Sequence, residues 1–180
     1  MGYNIQAASD SKNKLLIAAD TGDVNDTKAL AVMVEKAQQN IHTVENVLAD
    51  KGYHSGRELK ACEQLGVITY VSPKEHSSSK NNGYAMKDFK YNLKQDTYTC
   101  PAGKVLTTNA RWYNKKLDAS GRKSYKVKHY KTKSCEQCTV RDHCTRNKRG
   151  RFIERTEYQE YSIRNNQRVN QKKKYLGRFT

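Results

Sequence analysis

The chain has 180 residues, of which 36% are apolar (12 of the aromatics are Tyr), so it is long enough for one ordinary domain or a domain with a small appendage around a modest core. Lys and Arg outnumber Asp and Glu by 34 to 18, and the excess is uneven: residues 1–75 carry 8 basic and 10 acidic side chains, whereas residues 76–180 carry 26 and 8. A near-neutral first part and a strongly basic second part argue for a folded core joined to a surface that grips a polyanion, nucleic acid first, beyond what solubility alone needs. No apolar stretch approaches the roughly 18 residues of a membrane span, and Met1-Gly2-Tyr3-Asn4 lacks the basic start and apolar core of a signal peptide; a cytoplasmic location with no membrane partner is the expectation.

In chain order, Tyr3 to Ala8 alternates weakly and ends in the polar cluster Ser9-Asp10-Ser11-Lys12-Asn13, after which Leu15-Leu16-Ile17-Ala18-Ala19 reads as a buried strand. The two predict an antiparallel hairpin. Asp20 to Asp26 is a loop, and Asp26-Thr27 can cap a helix over 28–40, where Leu30, Val34 and Ala37 recur at helical spacing. Val44 to Ala49 reads as a second buried strand with Asp50 at its end. Ser55 caps a helix over 56–65 that turns Leu59 and Cys62 inward, Gly66 stops it, and Val67 to Val71 is a third apolar strand closed by Pro73. The β-β-α-β-α-β order predicts an α/β fold with a mixed sheet, and a parallel pairing across the second helix. In such sheets ligands bind beyond the carboxyl ends of parallel strands, where Asp50 stands.

Composition changes at Lys74. Residues 1–75 form the expected core, 76–97 a linker rich in Ser and Asn, 98–150 a cysteine-rich basic segment and 151–180 a helical segment. A short hairpin of Phe89-Lys90-Tyr91 with Thr97-Tyr98-Thr99 is expected near the end of the linker. Lys115 to Lys133 reads as polar, without an apolar core of its own, and Glu154, Glu157 and Glu160 as one exposed face of the last helix.

Five cysteines in a cytoplasmic chain point to metal or free thiols before disulfides. Cys135 and Cys138 have the Cys-x2-Cys spacing that lets two sulfurs reach one zinc ion at about 2.3 Å. Cys100, before Pro101-Ala102-Gly103, and Cys144 complete a set of four, with His143 or His129 as alternative donors. Structural zinc, reduced thiols and an iron–sulfur cluster are the three readings. Zinc has the added merit of supplying folding energy to a polar segment. Cys62, alone on its helix, reads as a buried apolar residue. The segment would present Arg111, Trp112, Lys115, Lys116, Lys126, Lys128, Lys131 and Lys133 to nucleic acid, cations for phosphates and the indole for bases or sugars.

Among the acids, Asp10 reads as a turn residue and Asp26 as a helix cap. Only Asp50 combines a strand approach with a glycine just beyond it. One carboxylate cannot hold the two Mg²⁺ ions that metal-assisted phosphodiester chemistry uses.

Gly2-Tyr3-Asn4-Ile5-Gln6-x-Ala8-x-Asp10, Lys14-Leu15-Leu16-Ile17, Asn25-Asp26-Thr27 and Leu48-Ala49-Asp50-Lys51-Gly52-Tyr53 together resemble the catalytic domain of bacterial insertion-sequence DDE transposases. Tyr98-x-Cys100-Pro101-Ala102-Gly103-Lys104 and Cys135-x2-Cys138-x2-Arg141-x2-Cys144 resemble the cysteine-rich insertion of one branch. The resemblance implies a ribonuclease-H-like fold, Asp50 as the middle acid of the triad holding Mg²⁺, DNA ends and target DNA as partners, and a homo-oligomer in the intact family. It also implies that the first catalytic Asp precedes the Gly2-Tyr3-Asn4 hairpin, with Asp10 as a substitute. Tyr175-x-x-Arg178 resembles the segment just before the catalytic Glu. The expectation is then a fragment that does not perform strand transfer alone. The alternative is a zinc-stabilised nucleic-acid-binding module without catalysis.

Overall fold

In a computed structural model, residues 4–22, 26–41, 43–74, 83–116 and 124–176 are described. The elements in chain order are β1 (Asn4–Ser9), β2 (Leu16–Gly22), α1 (Leu30–Asn40), β3 (Asn46–Ala49), α2 (Gly56–Gln64), β4 (Ile68–Val71), β5 (Lys90–Asn92), β6 (Thr97–Thr99), β7 (Val105–Leu106), β8 (Tyr113–Lys116), β9 (Ser124–Lys131), α3 (Arg141–Cys144), β10 (Phe152–Thr156) and α4 (Gln159–Leu176). They form two compact units, residues 1–74 with 158–180, and residues 75–157.

The first unit is mixed α/β. β1 and β2 form an antiparallel hairpin in register from Asn4↔Gly22 to Ser9↔Leu16, with an irregularity at Ala8 and Ser9. Asp10 turns the hairpin: its carboxylate accepts the Asn13 N–H at 2.5 Å, and Lys14 takes a left-handed φ of 60°. β3 and β4 pair in parallel, Asn46↔Ile68 to Ala49↔Val71, with α2 as the crossover. The hairpin and the parallel pair are hydrogen-bonded as two separate two-stranded sheets among the described residues, not as the one mixed sheet expected. The core is Leu30 and Val34 of α1, Leu59 and Cys62 of α2, then Val67 and Val71. The four helical positions are ones that helical spacing selected, and Val67 and Val71 come from the run read as an apolar strand. Burial pushes the Cys62 thiol up to about 12, with the Glu58 charge adding to it, so it stays a neutral apolar group.

Two expectations fail here for identifiable reasons. The apolar runs were expected to be buried strands, yet Leu15 and Leu16 are exposed and Leu48 of β3 is 66% exposed. Two-stranded pieces have one face on the helices and leave the other open. Nor does Asp26-Thr27 cap α1. Residues Asp26–Lys28 form a 3₁₀ turn, and Ala29 precedes the helix without a side-chain cap. The buried Glu58 carboxylate of α2 accepts the Ala31 N–H at 3.0 Å instead, satisfying a first-turn donor from across the core.

The 18-residue helix α4 carries few apolar residues, and it docks through polar ones. Asn165 is fully buried; its amide accepts from the Val71 N–H at 2.9 Å and donates to the Val71 carbonyl at 2.7 Å. One turn on, the Arg168 guanidinium reaches the Thr69 carbonyl at 3.0 Å and its hydroxyl at 3.1 Å. Thr69 and Val71 are two residues apart, so these groups lie on one edge of β4. The helix thus satisfies strand-edge groups that no further strand pairs among the described residues, which also blocks edge-to-edge association. At the start of α2, a side chain on Gly56 would put its Cβ 2.7 Å from that of Tyr158, so glycine permits this approach.

The second unit contains two three-stranded antiparallel sheets, β5-β6-β7 and β10-β9-β8. The β5–β6 hairpin falls where expected, so the segment read as a linker is structured from Gly83 onward. Lys115 to Lys133, read as coreless and polar, includes the eight-residue strand β9, with the fully buried Tyr130. Residues 152–156, read as helix, are β10, paired from Phe152↔Lys131 to Thr156↔Val127. Glu154, Glu157 and Glu160 therefore do not share a helix face: Glu154 lies on β10 and Glu157 accepts the Lys126 N–H at 2.8 Å.

The core of this unit is built from Phe89, Tyr98, Leu106, Tyr130 and Ile153. Its tyrosines carry hydroxyls that need partners. Asp96 provides one for Tyr130 at 2.6 Å and Tyr91 at 2.8 Å, and also takes the Lys128 ammonium at 2.7 Å. Burial opposes its ionisation, but the bonds from Lys128, Tyr130 and Tyr91 outweigh it and hold Asp96 at about 2. The mostly buried Arg155 sits 3.9 Å over the Tyr91 ring and donates to the Tyr98 hydroxyl at 3.3 Å. A sequence poor in aliphatics thus makes a core from amphipathic rings and a matched set of charges.

Candidate active site and cysteine cluster

Asp50 follows the last residue of β3 and is exposed, at the carboxyl end of the parallel pair. Its Oδ1 accepts the Gly52 N–H at 2.7 Å and caps the 3₁₀ turn Lys51–Tyr53. The turn fixes the carboxylate orientation through the backbone, and Gly52 keeps the space beside it clear. A Cβ there would lie 2.9 Å from Asp50 Oδ1 and 3.2 Å from Asp26 Oδ2.

Asp26 thus shares the site. Its Oδ1 accepts from Asn4 Nδ2 at 2.6 Å and Gln6 Nε2 at 3.3 Å, both on β1. These bonds hold one oxygen while Oδ2 faces Gly52. Tyr53 completes the surroundings: burial first, then the charges of Asp26 and Asp50, raise its phenol above the ordinary value. Sequence reading assigned Asp26 to a helix cap. The signal that could have found it is the pair Asn4 and Gln6, alternate residues on one strand face, both amides suited to a carboxylate.

Asp10 does not join this pair: its carboxylate is engaged by the turn backbone, which lowers its pKa through the Asn13 and Lys12 N–H groups. Tyr175 is described for its backbone alone, and Arg178 lies outside the described residues.

Asp26 and Asp50 have the chemistry of a Mg²⁺ site, which takes one or two carboxylates and completes its shell with water and substrate phosphate oxygens. Among the described residues no group of three or more His, Cys, Asp or Glu side chains is arranged to hold a metal ion by itself.

Cys100, Cys135, Cys138 and Cys144 all border one small cavity with Phe89, Leu106, Val140 and Arg151. All four are free thiols. Cys100 sits in a tight turn in which its Sγ accepts the Lys104 N–H at 3.3 Å and Gly103 N–H bonds its carbonyl at 2.9 Å. Gly150, at φ 84°, passes so close to Cys135 that a Cβ would stand 2.4 Å from the Cys135 Cβ. Burial raises the Cys144 thiol, Arg151 opposes, and the other three cysteines add to the rise. The donor set suits zinc, though the thiols are not drawn into a ligating arrangement.

Of the eight residues expected at nucleic acid, Arg111, Trp112, Lys116, Lys126, Lys131 and Lys133 are exposed. Lys115 is exposed but ion-paired to Glu154, and Lys128 is half-buried, bound to Asp96 and 5.1 Å over the Trp112 ring. The register of β8, β9 and β10 divides the strand lysines between two faces, Lys115 and Lys131 on one, Lys116, Lys126 and Lys128 on the other. No helix among the described residues is long and apolar enough to cross a membrane.

Neither a curated protein nor a solved structure matches the chain. The family described as "Transposase DDE domain" matches residues 1–159. That span holds residues 1–74 and 158–159 of the first unit and all of the second, with the strand-end Asp50 and the four-cysteine cluster, and by it the chain belongs to the transposase DDE domain family.

Proposed function

We propose that the chain acts in DNA transposition, with Asp50 and Asp26 contributing to a divalent-cation site at the end of β3 and the basic second unit gripping DNA. The observation that carries this reading is the convergence of the two carboxylates on Gly52. Mg²⁺ bound there would supply electrostatic stabilisation to a phosphodiester under attack. Asp50, oriented by the Gly52 N–H, would present its oxygens to the ion. Asp26, held by Asn4 and Gln6, adds negative charge opposite it. Asp50 is the one triad acid that the family resemblance assigns, and among the described residues Asp26 alone joins it, so we expect the 180-residue chain alone not to complete strand transfer.

The four cysteines are read as a structural zinc clip: they border one cavity, and the Cys100 turn offers an N–H to sulfur, a bond that would stabilise a ligating thiolate. Zinc binding would draw the thiols inward without altering the Tyr-rich core beside them.

Two assays test this reading. Duplex DNA binding by the purified chain should weaken steeply with salt, as expected when lysines displace counterions; binding that is absent or indifferent to salt contradicts the basic unit's role. Incubation with terminal inverted-repeat DNA and Mg²⁺ should leave the DNA intact, and cleavage that disappears in Asp50→Ala would overturn the claim of incompleteness while supporting Asp50.

A further inference from the structure

Register places Tyr113 of β8, Val127, His129 and Lys131 of β9, and Phe152 and Glu154 of β10 on one face of the β10-β9-β8 sheet. The opposite face bears Tyr130, Ile153 and Arg155 and is closed by the tyrosine core. On the first face three rings run across three strands. The Tyr113 ring stacks on His129 at 4.8 Å with planes 8° apart, and His129 meets Phe152 edge-on at 4.9 Å. Yet Tyr113 is 39% and Phe152 43% exposed. A single exposed ring is ordinary, but three in mutual contact make a patch.

The charges around it are cationic on balance. Lys131 lies opposite Phe152 and is exposed, and Lys115 lies on the same face. The one carboxylate on that face among the described residues, Glu154, is engaged by Lys115 and by His129 at 3.5 Å. Flat rings with lysines beside them, in a unit with excess positive charge, fit a ligand with aromatic planes on an anionic backbone. Duplex DNA hides its base planes inside the stack, so it offers this face nothing but phosphates. Unpaired bases offer both.

We propose that this sheet face is a stacking platform for single-stranded DNA, with Tyr113 and Phe152 as the outer rings, His129 packed between them and Lys131 beside the backbone. The proposal rests on the DNA reading above and narrows it to unpaired bases at this face.

The test compares two probes on the full chain at low salt: a labelled oligothymidine of about 15 nucleotides and a hairpin duplex of equal length. The double variant Tyr113→Ala/Phe152→Ala should weaken oligothymidine binding at least about tenfold, as loss of base–ring stacking does, and change duplex binding less than about twofold. Phe152→Trp, which keeps a ring, should retain oligothymidine binding. It also keeps the proposal testable should the double variant lose its thermal transition. Equal losses for both probes, an oligothymidine affinity indifferent to the rings, or loss of binding in Phe152→Trp as deep as in Phe152→Ala overturns the platform while duplex binding leaves the DNA reading standing. Binding of neither probe by the native chain removes both.

Discussion

Replacing Asn165 by Ala tests how α4 is attached. Its amide is the partner of both the N–H and the carbonyl of Val71, at 2.9 and 2.7 Å, and it is fully buried. Ala strands two backbone groups that the core residue Val71 keeps away from water. A buried polar group left without its partner costs about 1–3 kcal/mol, so the pair amounts to roughly 2–6 kcal/mol, a large share of a small unit's stability. Asn165→Asp keeps an acceptor for the N–H but turns a carboxylate toward the Val71 carbonyl, and should destabilise at least as much as Ala. Urea unfolding followed by circular dichroism would read the loss as a midpoint lower by about 1 M or more, and hydrogen exchange should accelerate first at Val71. A loss below about 0.5 kcal/mol, or exchange at Val71 no faster than in the native chain, would refute the claim that side-chain amides complete the edge of β4.

Three further perturbations address the second unit. Asp96 is held at about 2, below its unfolded value, so its contribution is present above roughly pH 4 and is lost as pH falls toward 2. Fluorescence of Trp112, the single tryptophan, which lies beside Lys128, should follow that loss, and Asp96→Asn should flatten the titration and cost on the order of 2 kcal/mol. Zinc measured in protein purified under reducing conditions should approach one ion per chain and a chelator should lower the thermal midpoint; metal-free protein with an unchanged midpoint would remove the clip. Gly150→Ala should destabilise this unit by more than about 1 kcal/mol, because both the left-handed backbone and the Cys135 approach exclude a side chain.

The helices of the first unit were legible because Leu30, Val34, Leu59 and Cys62 follow a 3.6-residue period that only a buried helix face explains. The position of Asp50 at the end of β3 was legible from a strand ending in an acid and a glycine turn. The place of Asp26 beside Gly52 was not, because a single Asp before a helix reads as a cap, and its partners, Asn4 and Gln6, are some 20 residues away. Strand β9 was hidden for a related reason: Ser124–Lys131 has lysines at alternate places, and its buried residues, Tyr130 tied to Asp96 and Val127, lie on opposite faces and form no run of aliphatics. β10 was mistaken for helix because Glu154 and Arg155 look solvent-facing. One pairs with Lys115 and the other is enclosed by tyrosines, a match visible only once the strands are side by side.

The central claim, that Asp50 and Asp26 form a divalent-cation site around Gly52, is tested most directly by paramagnetic relaxation with Mn²⁺ as a stand-in for Mg²⁺. Substoichiometric Mn²⁺ should broaden the amide resonances of Gly52 and its neighbours before any others, excess Mg²⁺ should reverse the effect, and Asp50→Asn should abolish it. Broadening that begins elsewhere, or persists at Gly52 in Asp50→Asn, would contradict the account.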